Sequence, residues 1–256
     1  MRLLSWNVNG LRAVSKKPGF NEFFNRPGVD VLGLQETRCQ LESLEPELAA
    51  PLGRWSYFVS PALKKGYSGV GVYTREKPLN VIAELPDLKY ADEGRLLHLE
   101  LGRFHFLAVY FPNGQRDEER LAYKLGYYEA FFQYCQKIRR TKPVVACGDF
   151  NVAHRPIDLA EPEANAETSG FLPEERAFVD HLIANGYLDA FRTLNGDLKD
   201  QYSWWSYRGG DRRRNIGWRI DYFFVSEELR PNLKKCWLEP ETTGSDHCPV
   251  GLELAF

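Results

Sequence analysis

Residues 95–110 read RLLHLELGRFHFLAVY, and this stretch decides the fold class. It contains two apolar runs, residues 95–101 and 104–110, and each has the length and the bulky composition of a buried strand. Because Gly102 and Arg103 alone separate the runs, the sequence predicts a tight hairpin of two antiparallel strands. A purely parallel sheet is therefore disfavoured.

Similar short apolar runs recur along the chain and predict further strands. A helix is predicted from Asp117 to Ile138, where apolar residues form one stripe behind an aspartate cap. A second helix is predicted from Pro173 to a stop at Gly186. The other predicted strands are LLSWNV near the start, VDVLGLQ after Gly28, WSYFVS, SGVGVYT, VVACGD, IDYFFVS and VGLELAF.

The order of these elements predicts an α/β protein in which packed mixed β-sheets are flanked by helices. The chain has 256 residues, without a low-complexity linker or a short internal repeat. Single α/β domains often reach roughly 250 residues. We therefore expect residues 1–256 to form a single domain.

The overall composition is that of an ordinary globular protein with a formal net charge of -2. This charge excludes a globally basic nucleic-acid binder, so a polyanion must be bound by a local patch. The five cysteines are widely spaced and form no CxxC pair, which predicts neither a disulfide framework nor a structural zinc site. There is no signal-peptide core or transmembrane run, so we expect an intracellular, reducing compartment and no membrane partner.

One local segment, YSWWSYRGGDRRRNIGWRIDYFFV at residues 202–225, carries a strong positive charge. Between Ser203 and Arg219 it has five arginines and one aspartate, with aromatic residues interleaved. Such a segment is suited to gripping nucleic acid. In the alternative interpretation, the aromatic side chains belong to the core and the arginines to a solvated loop.

Polar residues gather at the ends of predicted strands, in SWNVNG, LQET, YFPNG, GDFNVAH and GSDHCP. Any one of these acids alone could simply cap a loop. Together they form an oxygen-rich set that suits Mg²⁺ or Mn²⁺, and such an ion can neutralise charge on a phosphate oxygen. An Asp-His pair of Asp221 and His247 could in addition hold the imidazole tautomer. The acids and amides of the set are Glu36, Asp149, Asp221, Asp246, Asn7, Asn9 and Asn151.

Twelve motifs along nearly the whole chain resemble, in the same order, those of the exonuclease III family of apurinic/apyrimidinic (AP) endonucleases. The resemblance implies a four-layered α/β sandwich of the DNase I-like type. It also implies a Mg²⁺-dependent phosphodiesterase, in which Mn²⁺ can substitute. The motifs are SWNVNGLRA, LQET, GYSGVGVYT, EGR, YFPNG, ERLAYK, GDFNVAH, IDLA, GFLPEER, YSWWSYR, NIGWRIDYFFVS and GSDHCP.

The activity implied by the resemblance is hydrolysis of the phosphodiester 5′ of an abasic site in double-stranded DNA. The products would be a 3′-hydroxyl and a 5′-deoxyribose phosphate. The resemblance further implies possible 3′-5′ exonuclease and 3′-phosphatase activities, which would use the same active site. The position of SWNVNG near the first residue favours a prokaryotic cytoplasm, with the enzyme on the nucleoid, and we expect a monomer.

The resemblance also assigns the metal and catalytic residues. Some family members have aspartate in place of Asn9. The neutral amide of asparagine weakens the negative electric field at the metal site, and the number of bound ions, one or two, is therefore left open. Whether Tyr110 or Asp149 manages the proton is equally open. The metal group comprises Glu36, Asn9, Asp246, Asp149, Asn151 and His247, and the catalytic group comprises Asp149, His247, Asp221, Tyr110, Asn151 and Asn7.

The DNA-binding residues are likewise implied by the resemblance. Trp204, Trp218 and Ile220 would form an apolar pocket for a flipped-out abasic sugar. The arginines would contact phosphates or reach into the helix beside the lesion. The group as a whole comprises Arg208, Arg212, Arg213, Arg214, Trp204, Trp218, Ile220 and Asn113.

Two alternative functions compete with this interpretation. Other phosphoesterases on the same scaffold share the GDFN and SDH motifs, because a fold and a catalytic core do not choose a substrate. The WWSYR to GWRID and GFLPEER segments favour the DNA-repair branch. A binding protein without catalysis is the second alternative. The argument against it is the presence of all five catalytic-type residues, Glu36, Asp149, Asn151, Asp221 and His247.

Overall fold

The computed structural model describes residues 1–17 and 19–256. Over these residues the chain forms twelve strands and seven α-helices, connected by short 3₁₀ turns. In chain order they are β1 (Arg2–Asn7), α1 (Leu11–Val14), α2 (Glu22–Asn25), β2 (Val29–Gln35), α3 (Pro46–Ala49), β3 (Ser56–Ser60), β4 (Val70–Thr74), β5 (Asn80–Ala83), β6 (Leu96–Glu100), β7 (His105–Tyr110), α4 (Glu118–Arg139), β8 (Val144–Asp149), α5 (Pro173–Ala184), β9 (Tyr187–Asp189), α6 (Ala190–Asn195), α7 (Asp211–Arg214), β10 (Asp221–Ser226), β11 (Leu233–Leu238) and β12 (Val250–Leu254).

The described strands form two six-stranded mixed sheets. The first has the order β11-β12-β1-β2-β4-β3, and the second has the order β5-β6-β7-β8-β10-β9. At the centre of each sheet a parallel pair, β1 with β2 and β7 with β8, is flanked by antiparallel neighbours. The predicted hairpin is the antiparallel pair of β6 and β7, in which Leu96 lies opposite Val109.

Three apolar layers hold the sheets and helices together. Phe106 and Ala108 of β7 face the first sheet, whereas Leu107 and Val109 face the helical layer of α4 and α5. On the other side, Trp6 of β1 packs against Phe20 and against Phe23 of α2. Strands buried on both faces read as nearly continuous apolar runs, which is why they were recognisable in the sequence. The predicted fold class, a four-layered α/β sandwich, is confirmed.

The two sheets approach each other closely at Gly33 of β2. A methyl group on Gly33 would lie 3.1 Å from Sγ of Cys147 and 3.3 Å from Cβ of Ala108. A larger side chain here would have to push the sheets apart, because protein cores are packed without spare volume. Both strands of this contact, β2 and β8, end at the same edge of the sandwich.

The long helices agree closely with their predicted bounds. Asp117 caps α4 by accepting a hydrogen bond from the Arg120 amide at 2.7 Å, and α5 begins at Pro173 and ends before Gly186, which has a φ of 79°. Three observed strands, β5, β9 and β11, were not predicted from the sequence. Strand β5 is exposed at a sheet edge, β9 has three residues, and β11 contains two adjacent lysines, so none presents a buried apolar run.

The five cysteines are buried and unpaired, as expected for a chain without a disulfide framework. Across residues 1–17 and 19–256, the helices include none that is both long and apolar enough to cross a membrane.

A buried ion-pair network fixes the start of β10. Arg219 donates to Asp158 at 2.8 Å and to Asp189 at 2.7 Å, and Arg192 donates to the same Asp158 oxygen at 2.6 Å. Arg219 and Asp158 are fully buried. Burial alone would raise the pKa of Asp158, but the two arginines outweigh it and lower the pKa from 3.8 to about 2. Arg219 is thus a structural anchor that holds the flanking Trp218 and Ile220 in place.

We expect Asp158→Asn to lower the free energy of unfolding by about 3 kcal/mol at pH 7, since it leaves buried arginines without their counter-charge. The carboxylate stabilises the fold fully above pH 3.8, and this stabilisation is lost as the pH falls through about 2. The difference in the free energy of unfolding between Asp158→Asn and the wild type should therefore be smaller at pH 3 than at pH 7. Urea unfolding at both pH values measures it.

The control is Asp197→Asn, which removes an exposed partner of Arg155. Exposed ion pairs contribute little, so this variant should unfold like the wild type. An Asp158→Asn protein of unchanged stability at pH 7 would contradict the role of the network.

Candidate active site

The polar strand ends of both sheets meet at one edge of the sandwich. In the second sheet, Asp149 at the end of β8 lies opposite Tyr110 of β7 and Asp221 of β10. In the first sheet, Asn7 ends β1 beside the end of β2, where Glu36 follows. The predicted residues from distant parts of the sequence are therefore neighbours in space.

Three residues within two positions of these strand ends have left-handed backbone conformations. The φ angles are 47° for Asn9, 50° for Glu36 and 52° for Asn151. Asparagine tolerates this region, whereas it strains a glutamate, and such strain is typical of functional sites. At Glu36 the turn is held by hydrogen bonds from the Gly10 amide to the Glu36 carbonyl at 2.8 Å and from the Thr37 amide to Gly69 at 3.0 Å.

The Asp149 carboxylate is buried and held on both oxygens. The Asn151 amide donates to Oδ1 at 2.8 Å, and Nδ2 of Asn7 donates to Oδ2 at 2.9 Å. Nδ2 of Asn7 also donates to Oε1 of Glu36 at 3.0 Å, so one amide group links acids from the two sheets. Burial, reinforced by Asp221 and opposed by His247, raises the pKa of Asp149 to about 7.

His247 lies between two carboxylates. Its Nδ1 is 2.9 Å from Oδ2 of Asp221, and its Nε2 is 3.8 Å from Oδ2 of Asp149. Since a carboxylate only accepts, Nδ1 carries the proton in the first contact. Burial opposes the charged ring, but Asp221 and Asp149 outweigh it and raise the pKa of His247 to about 10. The imidazole is therefore a cation at neutral pH.

Asp221 is itself oriented by Ser203, a residue outside the predicted site. Oγ of Ser203 donates to Oδ2 of Asp221 at 2.6 Å and accepts from the amides of Ile220 and Asp221 at 3.1 and 3.0 Å. The serine is fully buried, so these contacts are shielded from water. The only sequence feature that could have identified Ser203 is its position in the YSWWSYR motif. Serine is too common in loops for this position to indicate a role.

Asp246 and Asn9 form a second polar pair beside this group. Nδ2 of Asn9 donates to Oδ1 of Asp246 at 2.9 Å, and Nε1 of Trp204 donates to Oδ2 at 3.1 Å. Burial would raise the pKa of Asp246, but His247 and these two donors outweigh it and lower the pKa. Asp246 thus remains ionised at neutral pH.

Two of the predicted metal ligands, Glu36 and Asp149, offer carboxylate oxygens to a divalent cation, and His247 lies beside them. A ligand atom from each of Glu36, Asp149 and His247 lies within 4.8 Å of the others. Carboxylate oxygens are the ligands that Mg²⁺ prefers, and Arg38 now neutralises Glu36 by donating to Oε2 at 3.1 Å. Asn151 is less free, because its Nδ2 donates to the Phe111 carbonyl at 2.8 Å and its Oδ1 accepts from Asn113.

Ten predicted residues line one cleft of about 450 Å³. Asn7 and Asp221 lie buried behind it, and Asn9 contacts its wall through Asp246. Trp204, Trp218 and Ile220 form an apolar cluster with Phe171 at the wall. The ten are Glu36, Tyr110, Asn113, Asp149, Asn151, Trp204, Trp218, Ile220, Asp246 and His247.

The four predicted DNA-binding arginines differ in their surroundings. Arg208, Arg213 and Arg214 are exposed on the segment beside the cleft, and Arg214 pairs with Asp211. Arg212 is half-buried, and its guanidinium contacts main-chain carbonyls. The structure therefore groups three of them at the surface and separates the fourth.

Comparison with known proteins decides the family. The profile of the endonuclease/exonuclease/phosphatase family matches residues 4–247. An exodeoxyribonuclease of Bacillus subtilis is 42% identical over 252 residues, which cover 98% of each chain. The chain belongs to the endonuclease/exonuclease/phosphatase family.

Other members of the family agree with this assignment. A DNA-(apurinic or apyrimidinic site) endonuclease of Dictyostelium discoideum is 39% identical over 98% of this chain and 70% of its own length. An AP endonuclease structure from Archaeoglobus fulgidus superposes with a TM-score of 0.88 at 26% identity, with full coverage of both chains. A 3′ phosphatase from Neisseria bound to product DNA hairpin has a TM-score of 0.92 at 27% identity, also with full coverage. The resemblance to exonuclease III-type AP endonucleases is confirmed.

Three further buried charged residues of this family member support the cleft from behind. Nζ of Lys124 donates to the Asn151 carbonyl at 2.7 Å and pairs with Glu175, which accepts from Ser169 at 2.8 Å. Arg95 donates to the Tyr110 carbonyl at 2.9 Å and lies over the Tyr110 ring. They belong to the quoted ERLAYK, GFLPEER and EGR motifs, but the sequence alone gave them no role.

We expect Glu36→Gln to weaken the binding of Mn²⁺ about tenfold or more, because an amide lacks the negative charge that a hard cation requires. Isothermal titration calorimetry of the purified protein measures it. The matched control is Glu161→Gln, since Glu161 lines the same cleft outside the three-residue group. An equal loss of Mn²⁺ affinity in Glu36→Gln and Glu161→Gln would contradict the assignment of Glu36 as a metal ligand.

Proposed function

We propose that this protein is a DNA-repair nuclease that hydrolyses the phosphodiester 5′ of an abasic site in duplex DNA, leaving a 3′-hydroxyl and a 5′-deoxyribose phosphate. We further propose that it acts as a monomer, with residues 1–256 as one domain. The observation that carries the proposal is the pairing of a buried, doubly held Asp149 with a cationic His247 in one cleft. The exodeoxyribonuclease and AP endonuclease relatives support the substrate class.

Magnesium is the proposed cofactor, with Mn²⁺ as a substitute. Glu36 and Asp149 supply hard oxygen ligands beside His247, and Asn9, Asp246 and Asn151 lie around them. When bound, the ion would neutralise charge on a phosphate oxygen and stabilise the leaving oxygen. Arg38 would then have to release Glu36, to which it is now paired.

Asp149 is the proposed base that accepts the proton of the attacking water. Burial raises its pKa to about 7, close to the value at which a general base works best. Tyr110 is a poor alternative, because burial and the Glu36 charge raise the pKa of its hydroxyl well above 10 and keep it protonated. A neutral hydroxyl is suited to donating a hydrogen bond to the phosphate.

His247 would stabilise the negative charge that develops on the phosphate. Its Nδ1–H is bound to Asp221, so a cationic ring presents Nε2–H towards Asp149 and the cleft. A fixed donor of this kind is effective because it needs no reorientation during the reaction. The Ser203 contact keeps Asp221, and hence the ring, in one orientation.

The apolar wall explains how an abasic site would be selected. Trp204, Trp218 and Ile220 offer space for a sugar without a base, and extrusion from the stack is least costly where the base is missing. The exposed Arg208, Arg213 and Arg214, with Asn113 in the cleft, would contact the sugar-phosphate backbone without reading sequence. The same centre could also act on 3′-phosphates and 3′ termini.

Asp149→Asn should lower magnesium-dependent incision of a duplex with a tetrahydrofuran abasic analogue by about 100-fold or more, the usual contribution of a general base. Gel-resolved cleavage under single-turnover conditions measures the rate. The control is again Asp197→Asn, whose carboxylate is exposed and pairs with Arg155. Retention of the wild-type rate by Asp149→Asn would remove Asp149 from the mechanism.

We expect the wild-type protein to incise the abasic duplex faster than intact or uracil-containing duplexes, since the pocket wall admits a sugar without a base. The comparison uses one sequence context, with magnesium and with EDTA, and includes a 3′-phosphate duplex. Incision in EDTA would contradict the metal-dependent mechanism. Rapid cleavage of the 3′-phosphate duplex without abasic-site incision would show a different substrate preference.

A further inference from the structure

The Arg212 side chain turns away from the surface that the neighbouring arginines occupy. Its Nη2 donates to the Pro240 carbonyl at 2.8 Å and the Thr242 carbonyl at 2.6 Å, and its Nη1 donates to the Ser245 carbonyl at 2.9 Å. All three acceptors belong to residues 239–249, the loop between β11 and β12, which we call the 239–249 loop. One side chain thus binds this loop at three points.

Trp205 fixes Arg212 from the other side. The guanidinium lies 4.7 Å from the centre of the indole ring, and the ring is buried beside Cys248. The Trp205 amide donates to the Asp246 carbonyl at 3.0 Å, while its Nε1 donates to Oδ1 of Asn215 at 3.1 Å. Trp205 therefore joins the residue after α7 to the same loop that Arg212 holds.

The 239–249 loop ends in catalytic machinery. Its exposed part, Glu241, Thr243 and Gly244, is followed at once by Ser245, Asp246 and His247. Oγ of Ser245 donates to the Asn7 carbonyl at 2.7 Å and accepts from the His247 amide at 3.2 Å. A shift of the Ser245 backbone would consequently move both the imidazole and the contact with β1.

The hydrogen-bond donors of Arg212 indicate whether its guanidinium binds the 239–249 loop or a DNA phosphate. The group has five N–H donors in one plane, and here both terminal nitrogens are used by carbonyls while one face is covered by Trp205. Three of the five N–H groups are therefore engaged, and Trp205 blocks the approach of a phosphate to one face. By contrast, Arg213 is exposed, and its guanidinium lies beside Gly210.

We propose that Arg212 is a positioning residue for Asp246 and His247, and that Arg213 and Arg214 are the phosphate contacts of this run. The inference rests on the proposed nuclease function and adds a division of labour within three consecutive arginines. Because misplacement of a reacting group by about 1 Å can cost about 100-fold in rate, loss of the three carbonyl contacts should act on the chemical step.

The test compares Arg212→Ala, Arg212→Lys and Arg213→Ala in the full-length protein. A labelled duplex with one tetrahydrofuran site gives the single-turnover incision rate at saturating enzyme with magnesium. Fluorescence anisotropy in EDTA gives affinity for the same duplex from about 50 to 200 mM KCl, where each lost phosphate contact lowers the logarithmic salt slope by about 0.9. Arg230→Ala is a matched control, since Arg230 pairs with Glu227 at the far end of β10.

We expect Arg212→Ala and Arg212→Lys to incise about 10- to 100-fold more slowly with an unchanged salt slope. The lysine variant is decisive, because it keeps the charge that a phosphate contact needs but cannot reach three carbonyls. Arg213→Ala should bind more weakly with a shallower slope, and Arg230→Ala should match the wild type. If Arg212→Ala fails to fold in a thermal melt, the lysine variant alone carries the test.

Two outcomes would overturn the inference: full incision by Arg212→Lys, or a loss of salt slope in Arg212→Ala equal to that in Arg213→Ala. Failure of the nuclease function is a separate result, because it would appear in the wild type as absent incision of the abasic duplex. In that case a 3′-phosphate duplex replaces it, and the same comparison of rates decides the role of Arg212.

Discussion

The amide of Asn7 bridging Glu36 and Asp149 is the contact on which the active centre depends. The two carboxylates come from different sheets, and without a shared donor they would repel each other across the edge of the sandwich. The bridge has a defined geometry because Asn7 ends β1 and Asp149 ends β8, two strands buried on both faces. Sheet packing, which is an apolar effect, thereby sets distances between charged groups.

Charge balance in the cleft follows from the same arrangement. Asp149, Asp221 and Asp246 surround one imidazole, which their combined field keeps cationic despite burial. Outside the cleft, the buried Asp158 and Lys124 each meet an opposite charge on a neighbouring segment. The first pair holds the segments around Asp158 and Arg219, and the second joins α4 and α5 to the loops at Asn151 and Ser169. The centre can be both acidic and rigid because every buried charge named here has a partner.

The fold and the members of the site were largely predictable, but their mutual geometry was not. Strands buried on both faces are recognisable in the sequence as apolar runs, and polar residues at their ends are easy to identify beside them. Strands β5 and β9 lacked that contrast, being exposed or short. Ser203 and Lys124 were missed because their importance lies in contacts 18 and 51 residues away along the chain. Arg212 could not be told from Arg213 in a run of identical letters.

The close approach of the sheets at Gly33 gives the sandwich a fixed thickness. The residue has no side chain, and its neighbours across the interface are as small as Ala108 and Cys147. Glu36 and Asp149 are anchored to opposite sheets. The volume of the few core residues between the sheets therefore sets the distance between these two carboxylates. Drift in core volume during evolution is therefore restricted by catalysis as well as by stability, even at positions that never meet the substrate.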